Sequence, residues 1–469
     1  MSPPTVAVVG AGIAGLAAAW ELLQDKGIHV LVLEGSPFVG GKLRTGQVAG
    51  HLVDTGAESM LARRPEGVTL LQETGLAGHI EHPETAAATI WSRGRLWPLP
   101  PRTLMGVPSD PNSARGILTN DEVDRLAHER LTPPASADIS VGDFVADRLG
   151  SAVVDRLVEP LLAGVYAGHA RRLSLKASVP ALWEAAASGT PVAAAARAAT
   201  QSPIDAAGPV FAGYRGGLGA MANDLATRLT SEGVKITTEA TVRQLDRTPR
   251  GWRLTVGPTI DAQRVDVDGV VLAVPARPAS RLLVRLQPEA ASLLADVEYA
   301  SVVIVTLAFP RAAAALLPGS GFLVPPAEGL AVKGATFSSA KWAWVNHLDR
   351  DVILMRASIG RAGETAVLQQ DDQNLVTTAV RDLRTVLGQA LPDPVDAHVQ
   401  RWGGGLPQYA VGHGDRMRQV LDAVATRPAL GLAGAAYEGL GIPACIASGR
   451  RAAREVAAQV RQAAPARRQ

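Results

Sequence analysis

Three glycines near the start of the chain have the spacing of a phosphate-binding turn. Gly10, Gly12 and Gly15 form the pattern G-x-G-x-x-G within the stretch Val6–Glu34. In such a turn the first glycine permits a tight bend, the second lets backbone approach a pyrophosphate, and the third lets a helix pack closely on a strand. The N–H groups at the start of the following helix would bind the phosphates. The pattern therefore predicts a dinucleotide site.

The acidic residue that such a site needs lies at the end of the next predicted strand. Glu34 follows the apolar run His29–Leu33 and is placed to accept a hydrogen bond from a ribose hydroxyl. A signal peptide or membrane span is the alternative interpretation of this apolar region. No basic segment precedes it, and polar residues between Glu21 and Lys26 interrupt it, so we reject that alternative.

Other side chains that could do chemistry are sparse. No convincing arrangement of serine, histidine and aspartate predicts a catalytic triad, and we predict no metal site and no catalytic side chain. His413, which follows a glycine and a loop that carries a tyrosine, is better explained as a loop-bonded histidine. The single cysteine, Cys445, excludes an internal disulfide and favours a reducing compartment.

Composition limits the classes of function. The chain has 469 residues, enough for two or three domains, with 47% apolar and 19% charged residues, as in ordinary soluble proteins. A net charge of +2 gives no global field for nucleic acid, and no apolar run reaches the roughly 18 residues of a membrane helix. We expect a cytoplasmic protein. The arginines near the end are best explained as a solvated helix and a frayed tail: Arg450, Arg451, Arg454, Arg461, Arg467 and Arg468.

Three distant segments share the features of a nucleotide-binding domain. Besides the first turn, Tyr214–Pro275 contains a glycine loop, an amphipathic helix and a buried strand. Gly434–Arg451 contains a second glycine loop, in which Pro443 opens a C-terminal helix. A dehydrogenase that uses NAD alone usually needs one such loop, whereas a flavin recruits another loop and helix end around its rings. These segments therefore indicate one interrupted flavin-binding domain.

The intervening segments have a different pattern. The strands predicted at Ala300–Phe309, Val352–Ile359 and Val395–Trp402 are separated by polar loops and helices rather than by regular βαβ units, which favours a mixed or antiparallel sheet. Residues 100–200 are rich in helical pattern. This insertion is a candidate membrane-docking or substrate-entry face, although its apolar residues are better explained as core.

At this point the sequence resembles the flavin-containing amine oxidase and protoporphyrinogen oxidase superfamily over nearly its full length. The segments GAGIAGLAAAWEL, GGKLRT and DTGAES match its FAD fingerprint, and GAAYEGLGIPACIASGR matches its C-terminal flavin segment. YRGGLGAMANDL, SSAKW and RWGGGLPQYAVGH are similar to the porphyrinogen-oxidising branch, most closely the oxygen-dependent enzymes of Gram-positive bacteria. Ala57 and the pair Ala343-Trp344 depart from the prolines usual at those places.

The resemblance implies an α/β fold in which a Rossmann-like FAD-binding domain is interrupted by a mixed-sheet substrate domain and a helical insertion. The predicted divisions are residues 1–85, 214–285 and 400–469 for the FAD-binding domain, 86–99, 201–213 and 286–399 for the substrate-binding domain, and 100–200 for the insertion.

The activity implied by the resemblance is the six-electron oxidation of coproporphyrinogen III to coproporphyrin III in haem biosynthesis, with O2 as acceptor and H2O2 as product. The alternatives are a protoporphyrinogen IX oxidase and, beyond it, an amine oxidase, a polyene desaturase or a non-catalytic flavin-binding scaffold. Cys445 follows Pro443 at a helix start, where a packed free thiol is the better interpretation, so FAD should be noncovalent. Transient contact with ferrochelatase or with the inner face of the membrane, and the oligomeric state, stay open.

The resemblance also assigns residues to the site. The residues expected to contact FAD are Gly10, Ala11, Gly12, Ile13, Ala14, Gly15, Glu34, Gly35, Lys42, Gly56, Ala57, Glu58, Ser59, Val242, Trp402, Leu440, Gly441 and Ile442. Propionates need cations at the mouth of the pocket. The candidates for that role are Arg63, Arg64, Arg95, Lys333 and Lys341.

Overall fold

The computed structural model describes residues 3–200 and 208–466. Residues 201–207, which we place in the substrate-binding domain, and the predicted tail arginines Arg467 and Arg468 lie outside the described residues.

The described strands are, in chain order, β1 Thr5–Val9, β2 His29–Leu33, β3 Thr45–Val48, β4 His51–Asp54, β5 Met60–Leu61, β6 Ile80–Glu81, β7 Ala88–Ser92, β8 Arg95–Pro98, β9 Thr103–Leu104, β10 Val107–Pro108, β11 Phe211–Tyr214, β12 Lys235–Thr237, β13 Val242–Thr248, β14 Gly251–Val256, β15 Gln263–Val267, β16 Gly269–Leu272, β17 Tyr299–Pro310, β18 Gly321–Leu323, β19 Val332–Thr336, β20 Val352–Ile359, β21 Asp396–Pro407 and β22 Leu430–Leu432.

The described α-helices are α1 Ile13–Leu23, α2 Pro65–Glu73, α3 Asn120–Ala127, α4 Val141–Leu149, α5 Ser151–Val153, α6 Glu159–Tyr166, α7 Leu175–Ser178, α8 Pro180–Ser188, α9 Val192–Thr200, α10 Leu218–Ser231, α11 Ala276–Leu283, α12 Pro288–Ala295, α13 Ser338–Lys341, α14 Ala343–Asn346, α15 Asp372–Leu387, α16 His413–Ala425 and α17 Ile442–Ala466.

A parallel sheet of order β12-β2-β1-β16-β22 joins the beginning, the middle and the end of the chain. Its central strand β1 pairs with β2 on one side and β16 on the other, so that Val6 lies opposite both Val30 and Gly269. Alternate side chains enter two separate cores. Val6 and Val8 pack with α1, α10 and α17, while Ala7 and Val9 pack with α11, α12 and the antiparallel strands β13, β14 and β15. This is the Rossmann-like arrangement that the sequence predicts.

A mixed sheet of order β21-β17-β20-β19-β18-β7-β8 forms the second layer. All its neighbouring strands are antiparallel except β18 and β7. Helix α15 covers one face through Leu375, Ala379 and Leu383. The mixed sheet is confirmed. Strand β21 pairs with β17 on both sides of residue 400, where the sequence places a domain boundary, and the division into domains stays a prediction.

The helices of residues 100–200 enclose a core of their own. Phe144, Leu157, Leu162 and Leu182 are buried together in it. The apolar residues of the insertion that we expected to be core therefore do pack as core. Among the described residues, none of the helices combines the length and the apolar character that crossing a membrane requires.

Helix α17 lies directly against α1 through a glycine. A Cβ placed on Gly449 would lie 2.1 Å from the carbonyl oxygen of Ala14. The two helices can approach this closely only because that position lacks a side chain. The start of the chain and its last helix are thereby held in one layer.

We predict that Gly449→Ala lowers the free energy of unfolding by about 1–3 kcal/mol, because α17 must move away from α1. Gly414→Ala, in α16, is the matched control, since a Cβ there would meet nothing within 4 Å. The control should be neutral or gain up to about 1 kcal/mol from helix propensity. Urea unfolding of both variants measures the difference, and equal stabilities would contradict the close packing.

Candidate functional site

The glycine turn between β1 and α1 has one packed side and one open side. Gly10 adopts a φ of +103°, and a Cβ on Gly15 would lie 1.9 Å from the carbonyl oxygen of Gly10. A Cβ on Gly12, in contrast, would meet nothing within 4 Å. Gly12 is also the N-cap of α1, with no side chain capping the helix. The backbone N–H groups at this helix start therefore face space in which a phosphate fits.

Glu34 lies against this turn. The N–H of Ala11 donates to Glu34 Oε2 at 2.7 Å, and the N–H of Ser36 donates to Oε1 at 2.8 Å. The start of β13 approaches the same point, because a Cβ on Gly35 would lie 3.0 Å from Thr241 Oγ1. The structure thus brings together Glu34, Gly35 and the segment that leads to Val242.

The backbone at Gly40 and Gly41 crosses over the glycine turn. The N–H of Gly40 donates to the carbonyl of Ala11 at 2.8 Å, and a Cβ on Gly41 would lie 3.2 Å from Gly12 Cα. Lys42 follows directly and makes no hydrogen bond or ion pair with the described residues, while burial lowers the pKa of its ammonium. A cation held in this way is suited to an anionic ligand on the open side of Gly12.

Cys445, near the start of α17, lies close to Lys42. Burial raises the pKa of the Cys445 thiol to about 11, although the charge of Lys42 acts in the opposite direction. The sulfur is therefore protonated near neutral pH and a poor nucleophile. This agrees with the expectation of a packed free thiol.

The loop after β4 is held by charged groups from the mixed sheet. Glu58 accepts hydrogen bonds from Lys341 Nζ at 2.8 Å and from an Arg356 guanidinium nitrogen at 2.8 Å. Burial raises the pKa of the Glu58 carboxyl, but Lys341 and Arg356 outweigh it and bring that pKa to about 2. Arg356 also donates to the carbonyl of Gly56. The segment Gly56–Ser59 is therefore fixed by contacts from α13 and β20.

Two further predicted segments reach the same region. Trp402 Nε1 donates to the carbonyl of Thr55 at 2.9 Å, and its ring would lie 3.2 Å from a Cβ on Gly56. Leu440 packs against the core of the helical insertion, whereas Ile442 belongs to the core under the parallel sheet. Leu440, Gly441 and Ile442 thus lie where the insertion meets the start of α17.

The five candidate cations are not brought together. Arg63 and Arg64 are exposed before α2, and Arg64 forms an ion pair with Glu66. Arg95 lies over the ring of Trp97 on β8, the edge strand farthest from β21. Lys341 is bound to Glu58, whereas Lys333 is buried on β19.

Three buried polar residues, to which the sequence assigned no function, make specific contacts in the structure. Asp54 accepts hydrogen bonds from the N–H groups of Leu218 and Gly219 at the start of α10, and burial raises its pKa to about 7. His413 stacks on Tyr409 and bonds the carbonyl of Ala436, so the loop-bonded role is confirmed. The third is Arg356, whose only sequence signal is one charged residue inside an apolar strand. No cluster of metal-ligating side chains occurs in the described parts of the chain.

Comparisons with known proteins agree with this geometry. The family described as flavin containing amine oxidoreductase matches residues 13–457. The chain is 37% identical to a coproporphyrinogen III oxidase of Mycobacterium leprae, over 98% of this chain and 100% of that protein. It is 28% identical to a coproporphyrinogen III oxidase of Bacillus subtilis, over 95% of this chain and 96% of that protein.

A solved structure from Exiguobacterium sp. 255-15 with a protoporphyrinogen oxidase assignment superposes with a TM-score of 0.84. That chain is 29% identical, and the match covers 98% of this chain and 99% of the other.

Glu58→Gln should lower the free energy of unfolding by about 3 kcal/mol, because it leaves two buried cations without their carboxylate. The exposed pair Arg228–Glu232 provides the control, and Glu232→Gln should cost about 0.5 kcal/mol or less. Chemical denaturation of the two variants measures both values. A Glu58→Gln protein as stable as the control would show that the three-residue network does not hold the loop.

Proposed function

The chain belongs to the flavin containing amine oxidoreductase family, and we propose that it is an FAD-dependent coproporphyrinogen III oxidase that forms coproporphyrin III with O2 as acceptor. The observation that carries this choice of substrate is the similarity of the whole chain to relatives of that name. The assignment of the Exiguobacterium structure supports protoporphyrinogen IX as the second candidate substrate.

The residues of the site fit FAD. The open side of Gly12 and the uncapped start of α1 suit the pyrophosphate, and Glu34 is placed for a ribose hydroxyl. Lys42, whose ammonium makes no hydrogen bond or ion pair with the described residues, supplies a positive charge for the phosphate or the ring system. The remaining contacts are assigned to Gly10, Ala11, Ile13, Ala14, Gly15, Gly35, Gly56, Ala57, Glu58, Ser59, Val242, Trp402, Leu440, Gly441 and Ile442.

We assign noncovalent binding to the FAD. The Cys445 thiol, the only cysteine in the chain, stays protonated near neutral pH. Its buried sulfur also lies within hydrogen-bonding reach of the carbonyls of Gly439 and Leu440. A residue packed and protonated in this way is poorly suited to form a bond with the cofactor.

The protein residues position the reaction rather than carry it. When bound, FAD supplies the redox chemistry, in which six electrons leave the substrate two at a time and pass to O2. Glu58, Lys341 and Arg356 fix the loop beside it, and each is engaged in an ion pair. His413 is bonded to a backbone carbonyl. No base is needed from these residues, because the pyrrole N–H groups of a porphyrinogen can release protons as the adjacent carbons are oxidised.

An amine oxidase is less consistent with the charges of the site. Lys333 is a buried cation whose ammonium has no hydrogen-bonded partner among the described residues. It would repel an ammonium substrate but attract carboxylates.

Purified protein incubated in air with coproporphyrinogen III should develop porphyrin fluorescence and release three molecules of H2O2 per porphyrin, because two electrons reduce each O2. Protoporphyrinogen IX and a primary amine are the parallel substrates. Faster turnover of protoporphyrinogen IX would favour the second candidate, and H2O2 from the amine alone would contradict both porphyrinogen assignments.

Gly12→Val should weaken FAD binding at least about tenfold, because the new side chain occupies the space assigned to the pyrophosphate. The melting temperature of the FAD-free variant should stay close to that of FAD-free wild type, since the first carbon of the new side chain contacts no protein atom within 4 Å. Gly414→Ala serves as the control that retains FAD. Titration with FAD, followed by flavin fluorescence, measures the affinity, and unchanged affinity would refute the assigned pyrophosphate position.

A further inference from the structure

Lys333 and Arg361 form a pair of buried cations beside the mixed sheet. Lys333 stands where the pairing of β19 with β20 is irregular, between Val332 and Gly334. Arg361 comes just after the end of β20. Val324 connects them, because its N–H donates to the carbonyl of Lys333 at 2.9 Å and its carbonyl accepts from the Arg361 guanidinium at 3.2 Å.

Neither cation is fully neutralised by the described residues. Lys333 is 5% exposed, and its ammonium makes no hydrogen bond or ion pair with them. Arg361 is 3% exposed, and its Nε is buried without a hydrogen-bond partner. The carboxylate nearest to Arg361 belongs to Glu364, at 3.4 Å, and the Glu364 side chain is 40% exposed. Burial, and next the charge of Arg361, lower the pKa of Lys333 to about 7, although the charge of Glu364 acts in the opposite direction.

Buried charges of this kind are costly unless an anion pairs with them. Arg356, on the same sheet, is paired with an anion in this way, because a carboxylate oxygen of Glu58 lies 2.8 Å from its guanidinium. The Lys333–Arg361 pair has two cationic side chains and one half-exposed carboxylate, that of Glu364, which also accepts a hydrogen bond from the Arg361 N–H at 3.1 Å. One more carboxylate would compensate the remaining positive charge.

The backbone next to Arg361 is connected through packing contacts to residues assigned to the flavin. The N–H of Ala362 donates to the carbonyl of Ala167, just after α6 of the helical insertion, at 2.7 Å. Ala362 and Trp402 pack against the same small cluster, which contains Ala167 and Val302. Trp402 in turn bonds the carbonyl of Thr55, next to the loop assigned to the flavin. An anion at the pair would therefore lie between the mixed sheet and the insertion, on the side of Trp402.

We propose that Lys333 and Arg361 form a carboxylate subsite that binds one propionate of the tetrapyrrole substrate. The subsite rests on the proposed function for the identity of its ligand. Arg361 supplies planar N–H donors and Lys333 a mobile ammonium, a combination suited to the two oxygens of a carboxylate. Free carboxylates share this chemistry, so the test has to separate them from the tetrapyrrole.

The test uses the full-length, FAD-loaded protein and its variants Lys333→Met and Arg361→Met. Binding of coproporphyrin III and of its tetramethyl ester is measured by fluorescence titration, with acetate as a competitor. Each variant should bind the tetra-acid about tenfold more weakly and the ester as wild type does. KM for coproporphyrinogen III should rise, while kcat stays within about twofold, because the subsite acts on binding rather than on the redox step. Lys235→Met, an exposed lysine on β12, is the matched control and should change neither value.

Stability separates this role from a merely structural one. Without porphyrin, Lys333→Met should raise the melting temperature, because methionine removes an unpaired buried charge at similar volume. A lower melting temperature together with unchanged porphyrin affinity in both variants would overturn the subsite. Wild-type protein that leaves coproporphyrinogen III unoxidised would overturn the proposed function instead, and the affinities for coproporphyrin III would still decide the subsite. Displacement of wild-type porphyrin binding by acetate at low concentration would reassign the subsite to free carboxylates and overturn the propionate assignment.

Discussion

The buried carboxylate of Glu58 connects the two layers of the molecule. It belongs to the loop after β4, yet its partners Lys341 and Arg356 come from α13 and β20 of the mixed sheet. Removing three charged groups from water is expensive, and the arrangement is stable only because all three are held together. The position of the loop is therefore set by the second sheet, and the site assigned to the flavin depends on both layers.

Close contacts between backbone segments determine the shape of the rest of the site. The turn at Gly10 and the approach of α17 to α1 at Gly449 lack room for a side chain, and at the crossing a Cβ on Gly41 would lie only 3.2 Å from Gly12 Cα. Such contacts leave little freedom for adjustment, so the open side of Gly12 is a shape fixed by its neighbours. A cofactor that carries the chemistry itself needs this rigid placement more than it needs reactive side chains.

Local patterns in the sequence were sufficient for the parts of the structure formed by neighbouring residues. The turn at Gly10–Gly15 and the strand leading to Glu34 each depend on a short segment, and each is present. The sequence did not indicate a role for Arg356 or Arg361. The partner of Arg356 lies hundreds of residues away along the chain, and that of Arg361 lies tens of residues away. Lys341 and Lys333 were chosen for charge alone, and only the fold shows that Lys341 forms an ion pair with a carboxylate whereas Lys333 forms none with the described residues. The strand predicted at Val395–Trp402 is present, and pairing with β17 extends it through the glycine run 403–405 to Pro407.

The most direct measurement is the visible absorbance of the purified protein mixed anaerobically with coproporphyrinogen III. The account predicts that bound flavin is bleached as porphyrin forms, and that its colour returns when O2 is admitted. A colourless protein that binds no FAD, or bound flavin that keeps its colour in the presence of the porphyrinogen, would contradict it.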